Sequence, residues 1–155
     1  MILTRTHDMA LVASIMSDPA IWPHVHEDGT PDDWAPVDHD GFHWMLVSDG
    51  EPLGVFLVHA VNSSCNQMHT CLLPRSWGVQ AKEAAQLLLA WAFEDTECRK
   101  MITAVPAYNR AALRFAKAGG MVQEGVNRQS FLRNGVMLDQ IMLGITKQEW
   151  KSCQQ

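Results

Sequence analysis

At 155 residues the chain has the length of one domain, and 47% hydrophobic with 19% charged residues describes a folded globule rather than a disordered chain. The formal net charge is −5 and no long basic run occurs, which argues against nucleic acid as a partner, since that affinity comes mainly from Lys and Arg on phosphates. The longest apolar run, "LLLAWAF", falls far short of the ~20 residues that cross a bilayer, and the N-terminus lacks the layout of a signal peptide. No membrane association is expected, and a cytoplasmic location is. Cys65, Cys71, Cys98 and Cys153 are irregularly spaced without a C-x-x-C pair, and so read as free thiols of a reducing compartment.

In chain order, residues 2–6 suit a first strand, and "DMALVASIMSD" suits a helix with Leu11, Ile15 and Met16 on one face. From Pro19 to Asp40, four prolines among Asp, Glu and His predict loops and short helical turns. "GFHWMLVSDGEPLGVFLVHAV" is a hairpin turning at Asp49-Gly50. "QMHTCLL" is a further strand that runs into Pro74, and the apolar spacing from Val79 to Glu94 is helical. "KMITAVP" is a short strand. "NRAALRFAKAGG" is a helix with Asn109 as N-cap and Gly119-Gly120 as its stop. A second hairpin, "MVQEGVNRQSFL" with "VMLDQIMLGI", turns at Asn134-Gly135, and Arg128 could pair with Asp139 across it. One domain over residues 1–155 follows, an α/β layer structure without internal repeats.

The junction "PRSWG" between strand and helix is either a plain turn or an anion cradle, because a helix start presents unpaired N–H groups and a positive dipole end.

The run "HTCLLPRSWG" before a helix, then "KMITAVPAYN", "NRAALRFAKAGGM" and "QEGVNRQSFLRNGVMLDQIMLGITKQEW", resembles the GNAT acyltransferases over roughly residues 42 to 150. It is nearest the subgroup that acetylates N-termini of ribosomal proteins, and it is also similar to GNAT-like proteins of tailed phages, some of them in head assembly. The resemblance implies the GNAT fold: a mixed, mostly antiparallel sheet with helices on both faces and one splayed strand pair. It implies acetyl-CoA as cofactor. Arg75, Ser76, Trp77, Gly78, Val79, Gln80, Ala81 and Lys82 would wrap its pyrophosphate. Backbone of Cys71, Leu72 and Leu73 would bond its pantetheine arm, and Asn109 would touch that arm from the next helix. Gln80 stands where the family has a small residue, and Ala112 and Ala116 stand where it often has a Ser or Tyr acid. The nearest remaining acid is Tyr108, the only tyrosine, and His69 on the central strand is a candidate base.

Residues 22–44 hold four histidines and six carboxylates, and His24-x-His26 points two imidazoles one way if extended. Without a fixed ligand pattern this reads as a solvated acidic loop, and no metal is assigned. Beside the acceptor site of the GNAT layout it would favour a cationic amine, small or at the end of a basic peptide or protein N-terminus. Trp91, Phe93 and Leu88 read as core, and Trp150 as packing over the sheet. Two functions stay open: an N-acetyltransferase, or a catalytically silent assembly protein whose partners are virion proteins. The exposed edge of the last hairpin is a place where a homodimer could pair.

Overall fold

Gly50, at φ +76°, turns the chain between β2 (Phe42–Asp49) and β3 (Glu51–Ala60). Asn134 and Gly135, at φ +51° and +73°, do the same between β6 (Val122–Arg133) and β7 (Val136–Thr146). Both hairpins form where the dipeptides predict them, because these residues tolerate the positive φ that tight hairpin turns require. The remaining elements of the computed structural model, which describes residues 1–154, are β1 (Ile2–Arg5), α1 (Met9–Met16), α2 (Trp22–Val25), β4 (Cys65–Leu72), α3 (Val79–Glu94), β5 (Lys100–Pro106), α4 (Arg110–Ala118) and α5 (Lys147–Cys153).

The strands make one sheet in the order β1-β2-β3-β4-β5-β7-β6. Every neighbouring pair is antiparallel except β4 with β5. That parallel pair is registered only at Cys65↔Lys100, Asn66↔Met101 and Gln67↔Ile102. Beyond these positions the two strands pair no further, and the sheet is split at its centre. This is the mixed, mostly antiparallel sheet with a splayed pair that the resemblance implied.

Each face carries helices. On one, α3 contributes Ala81, Ala84, Leu88, Leu89, Ala92 and Phe93 to a core with Phe56, Val58, Met68, Met101 and Leu143 from the sheet. Full burial of side chains such as Leu88 and Phe93 stabilises the fold by roughly 1.5–3 kcal/mol each. Trp150 of α5 closes this core, its ring centroid 5.6 Å from that of Phe93. Thr146 and Glu149 form the capping box that starts α5.

On the other face α1 packs Val12, Ile15 and Met16 against Trp44, Val55 and Cys71. Ile15 and Met16 are buried as expected, Leu11 packs against the same cluster half-buried, and Val12 is the deepest residue of the helix, which Asp8 caps at Leu11 N (3.0 Å). Arg128 and Asp139 do not pair: Asp139 Oδ1 instead accepts the Gln129 N–H at 2.8 Å, at a bulge where Gln129 has φ +49°.

Candidate functional site

The split lies between the C-terminal halves of β4 and β5, and ladder alternation says which groups face it. Leu73 N bonds Leu53 O (2.9 Å), so residues 71 and 69 also turn their backbone toward β3. Residues 68, 70 and 72 turn theirs the other way, into the split. Thr103 confirms the direction, since its hydroxyl reaches from β5 to Met68 O at 3.0 Å. The backbone N–H of Leu72 thus faces open ground, while its carbonyl accepts the Trp77 indole N–H at 2.9 Å. Of Cys71, Leu72 and Leu73, Leu72 alone presents its edge to the gap. Leu73 is engaged with β3, and the buried Cys71 thiol is raised to about 12 by desolvation.

After Leu72 the chain makes a single tight turn, Pro74–Ser76, and Gly78 then begins α3. Gly78 sits at φ +90°, ψ −124°, a conformation for glycine, and a side chain there would meet open space. No side chain caps α3, whose first internal bond is Lys82 N to Gly78 O at 3.2 Å. The N–H groups of Val79, Gln80 and Ala81 are left pointing outward, with the positive end of a 16-residue helix behind them.

The side chains of this turn divide by role. Ser76 is fully buried and ties the turn together through Leu73 O (2.8 Å) and Leu53 O (3.2 Å), so its hydroxyl faces inward. Arg75 donates to the Pro52 carbonyl. Trp77 and Val79 are exposed, Lys82 is an exposed cation one turn into α3, and Gln80 is half-buried. A diphosphate beside Val79–Ala81 and an amide-bearing arm along Leu72 fit this arrangement.

Asn109 caps α4, its Oδ1 accepting Ala112 N at 3.1 Å. It stands at the end of β5, across the split from Leu72. His69 and Tyr108, the two candidate proton carriers, are not brought together. His69 Nε2 lies 3.1 Å from His59 Nε2 with the rings stacked. Solvent reaches the ring, but the protein around it desolvates the charge and, with His59, pushes its pKa down to about 4. It is neutral at physiological pH and a weak base.

Tyr108 belongs to a cluster with no sequence signal beyond its being the only tyrosine. Its hydroxyl accepts from Arg133 Nη1 and lies 3.0 Å from His24 Nδ1, and the guanidinium carbon stands 4.5 Å over its ring. Arg133 also donates to Pro23 O at 2.8 Å. His24 is held below its ordinary value by burial and then by Arg133. His26 turns instead to Trp22, stacking on its ring and bonding its carbonyl, so the two histidines of His24-x-His26 diverge. Among the described residues no group of three or more His, Cys, Asp or Glu gathers around a common point.

The segment carrying His24 is fastened to the β6–β7 hairpin. Asp28 N donates to Leu132 O (3.0 Å), Leu132 N to Glu27 Oε1 (2.7 Å), and the Asp28 carboxylate accepts from Asn134 N (3.1 Å) and Gly135 N (2.8 Å). These two carboxylates of the acidic loop are therefore occupied by backbone. Asp32, Asp33 and Asp40 are exposed and make no ion pair among the described residues. A surface depression of about 710 Å³ lies elsewhere, at the start of β5 and the end of β7, lined by Arg99, Thr146 and Lys147 among others. It has no part in the split. No helix among the described residues is long and apolar enough to cross a membrane.

Comparison with known proteins agrees with this geometry. The acetyltransferase (GNAT) domain family matches residues 2–122, beginning earlier and ending earlier than the stretch that carried the resemblance in sequence. No curated protein matches the chain. Among solved structures, the spermidine N-acetyltransferase from Vibrio cholerae in complex with CoA and spermine is similar with a TM-score of 0.81 over 97% of each chain, at 16% identity. A spermidine/spermine N-acetyltransferase from the same organism, in complex with manganese ions, has a TM-score of 0.78 over 99% of this chain and 96% of that one, at 15% identity. At such identities the likeness is one of fold.

Proposed function

Because the chain belongs to the GNAT acetyltransferase family, whose cofactor is acetyl-CoA, we propose that it carries an acetyl group through the split between β4 and β5 to an amine on the α1–α2 face. The observation that carries this reading is the pairing of an uncapped α3 start with an unpaired Leu72 N–H at the lip of the same split. The N–H groups of Val79, Gln80 and Ala81 hold the diphosphate, with Lys82 adding charge. Arg75 and Ser76 shape the turn. Trp77 holds the Leu72 carbonyl and covers the outer side, and Asn109 borders the arm from β5.

Bound there, acetyl-CoA supplies an activated thioester. The protein's own part is to orient it, to direct Leu72 N–H toward developing negative charge, and to manage protons. Tyr108 is the acid at the open end of the split. His69, neutral and hydrogen-bonded to His59, is less suited to take a proton from an ammonium ion. The acceptor is a cationic amine, drawn by exposed Asp32, Asp33 and Asp40 on the loop beside that end. The two solved structures named above are a spermidine and a spermidine/spermine N-acetyltransferase, which supports small polyamines as first candidates, with peptide N-termini second.

The test is release of free CoA thiol from acetyl-CoA in the presence of spermidine, simple diamines and basic peptides. Acetylated product with at least one class supports the reading; binding of acetyl-CoA without transfer to any would sink it. Ala112 and Ala116, lacking the family's usual acid, favour the second reading: a scaffold that binds without turnover and serves an assembly.

A further inference from the structure

Two clusters outside the cofactor cradle point to no ligand. His59 and His69 bond each other, and with no third His, Cys, Asp or Glu they form no metal-holding group among the described residues. In the depression at the start of β5 a carboxylate, Glu97, stands among the cations Arg99, Lys147 and Lys151, so no single sign of charge lines it.

Trp77 is different, because packing does not explain where its ring lies. The residue is 59% exposed and belongs to neither hydrophobic core. Among the described residues it stacks on no other aromatic ring. A large apolar ring gains by turning onto apolar surface, and this one has not done so. What holds it is one hydrogen bond, from its Nε1–H to Leu72 O at 2.9 Å.

That carbonyl belongs to the open edge of the split. A partner running along a strand edge bonds both the N–H and the carbonyl of the residue it faces. Leu72 now offers only its N–H, since the indole fills the carbonyl. An arm that carries amides brings both complements, one N–H and one C=O in each. The indole N–H therefore stands where an amide N–H of such an arm has to go.

The ring can leave without moving the main chain. Trp77 N donates to Pro74 O at 3.1 Å, and the buried Ser76 hydroxyl ties the turn to Leu53 O and Leu73 O. Rotation about the side-chain torsions of Trp77 frees the carbonyl and leaves the ring on the outer side of the turn. The exchange replaces one neutral hydrogen bond by another, so its net cost is small.

We propose that Trp77 is a plug of the cofactor groove: its indole N–H holds the Leu72 carbonyl in the free protein and yields it to an amide N–H of acetyl-CoA. This deepens the acetyltransferase reading above and rests on it. No covalent step is involved. A ligand with a diphosphate alone reaches the start of α3 and leaves the plug closed. A ligand with an amide-bearing arm displaces it. Trp77 thereby distinguishes acetyl-CoA from nucleotides that share its diphosphate.

The test compares acetyl-CoA with ADP, which has a diphosphate and no arm. Trp77→Phe keeps a ring and lacks the N–H. It should bind acetyl-CoA about 3–10-fold more tightly than the parent, the worth of one net hydrogen bond, and ADP with the parent's affinity. In NMR spectra of the free parent, the Trp77 indole N–H is the signal absent from Trp77→Phe. It should exchange with solvent slowly for so exposed a ring. Acetyl-CoA should shift that signal and speed its exchange, and ADP should leave it in place. Acetyl-CoA that binds while the indole keeps its signal and its protection overturns the plug alone, because both donors then share Leu72 O. Weaker acetyl-CoA binding by Trp77→Phe, or an equal gain for ADP, also overturns it. Should Trp77→Phe melt lower than the parent, the spectra of the parent decide by themselves. Failure of both proteins to bind acetyl-CoA overturns the acetyltransferase reading as well.

Discussion

Asp28 reaches the turn at Gly135, 107 residues away in sequence, and accepts its N–H at 2.8 Å while its other oxygen accepts that of Asn134. One carboxylate thereby caps the last hairpin and fastens the segment after α2 to it. Asp28→Ala should speed amide hydrogen exchange at Asn134 and Gly135 while leaving β2 and β3 unaffected. The same backbone N–H groups hold the Asp28 carboxyl below its ordinary value. Its contribution is therefore present above that value and is lost as the pH falls through the lowered one. Protection at Asn134 and Gly135 that persists unchanged in Asp28→Ala would show that this fastening does not form.

His69 gives a second acid dependence, in a different window. Its neutral form is favoured in the fold, with a pKa of about 4 against 6.5 ordinarily. Between those values the unfolded chain binds the extra proton, so stability falls as the pH drops from about 6.5 to about 4. Urea unfolding across that range should show the decline, and His69→Gln should flatten it.

Gly54 lies against β4 where the split opens. A Cβ there would stand 2.6 Å from Cys71 O and 2.7 Å from Leu72 Cα. Both are backbone and cannot move cheaply. Gly54→Ala should destabilise the protein by roughly 1–3 kcal/mol, as overpacking does. It should also weaken acetyl-CoA binding, because the Leu72 edge would be displaced. A variant as stable as the parent would contradict the close approach.

Asn109 has one observed role, as the cap of α4, and one proposed. Loss of the α4 cap in Asn109→Ala should cost about 1 kcal/mol, whereas Asn109→Ser should retain most of that. If Asn109 also touches the cofactor arm, both variants lose affinity for acetyl-CoA while only the first loses stability. Calorimetry beside thermal melting separates the two contributions.

The elements legible in sequence are those encoded within a few residues. Asp49-Gly50 and Asn134-Gly135 announce turns because their backbone tolerates positive φ, and Val79–Glu94 announces a helix by its apolar period. The turn before α3 could be read as well, since a glycine ahead of a helix start is a local arrangement. The fastening of Asp28 to the last hairpin and the cluster around Tyr108 could not. Asp28, His24, Tyr108 and Arg133 meet through contacts between 25 and 107 residues apart, and no periodicity or motif marks them. Local reading also misplaced Arg128 and Asp139, whose pairing was inferred from a regular hairpin, because the ladder is bulged between Asn127 and Phe131.

The cofactor cradle is tested most directly by titrating acetyl-CoA into the parent and into Val79→Glu by calorimetry. Val79 suits the purpose better than Gly78, whose backbone at φ +90°, ψ −124° would be strained by any side chain. Val79 is 83% exposed at the first turn of α3, where a carboxylate favours the helix and repels a diphosphate. Micromolar binding by the parent, abolished in a Val79→Glu variant that melts no lower, is the result predicted. Equal binding by both proteins, or none by the parent at millimolar acetyl-CoA, would contradict a diphosphate at the start of α3.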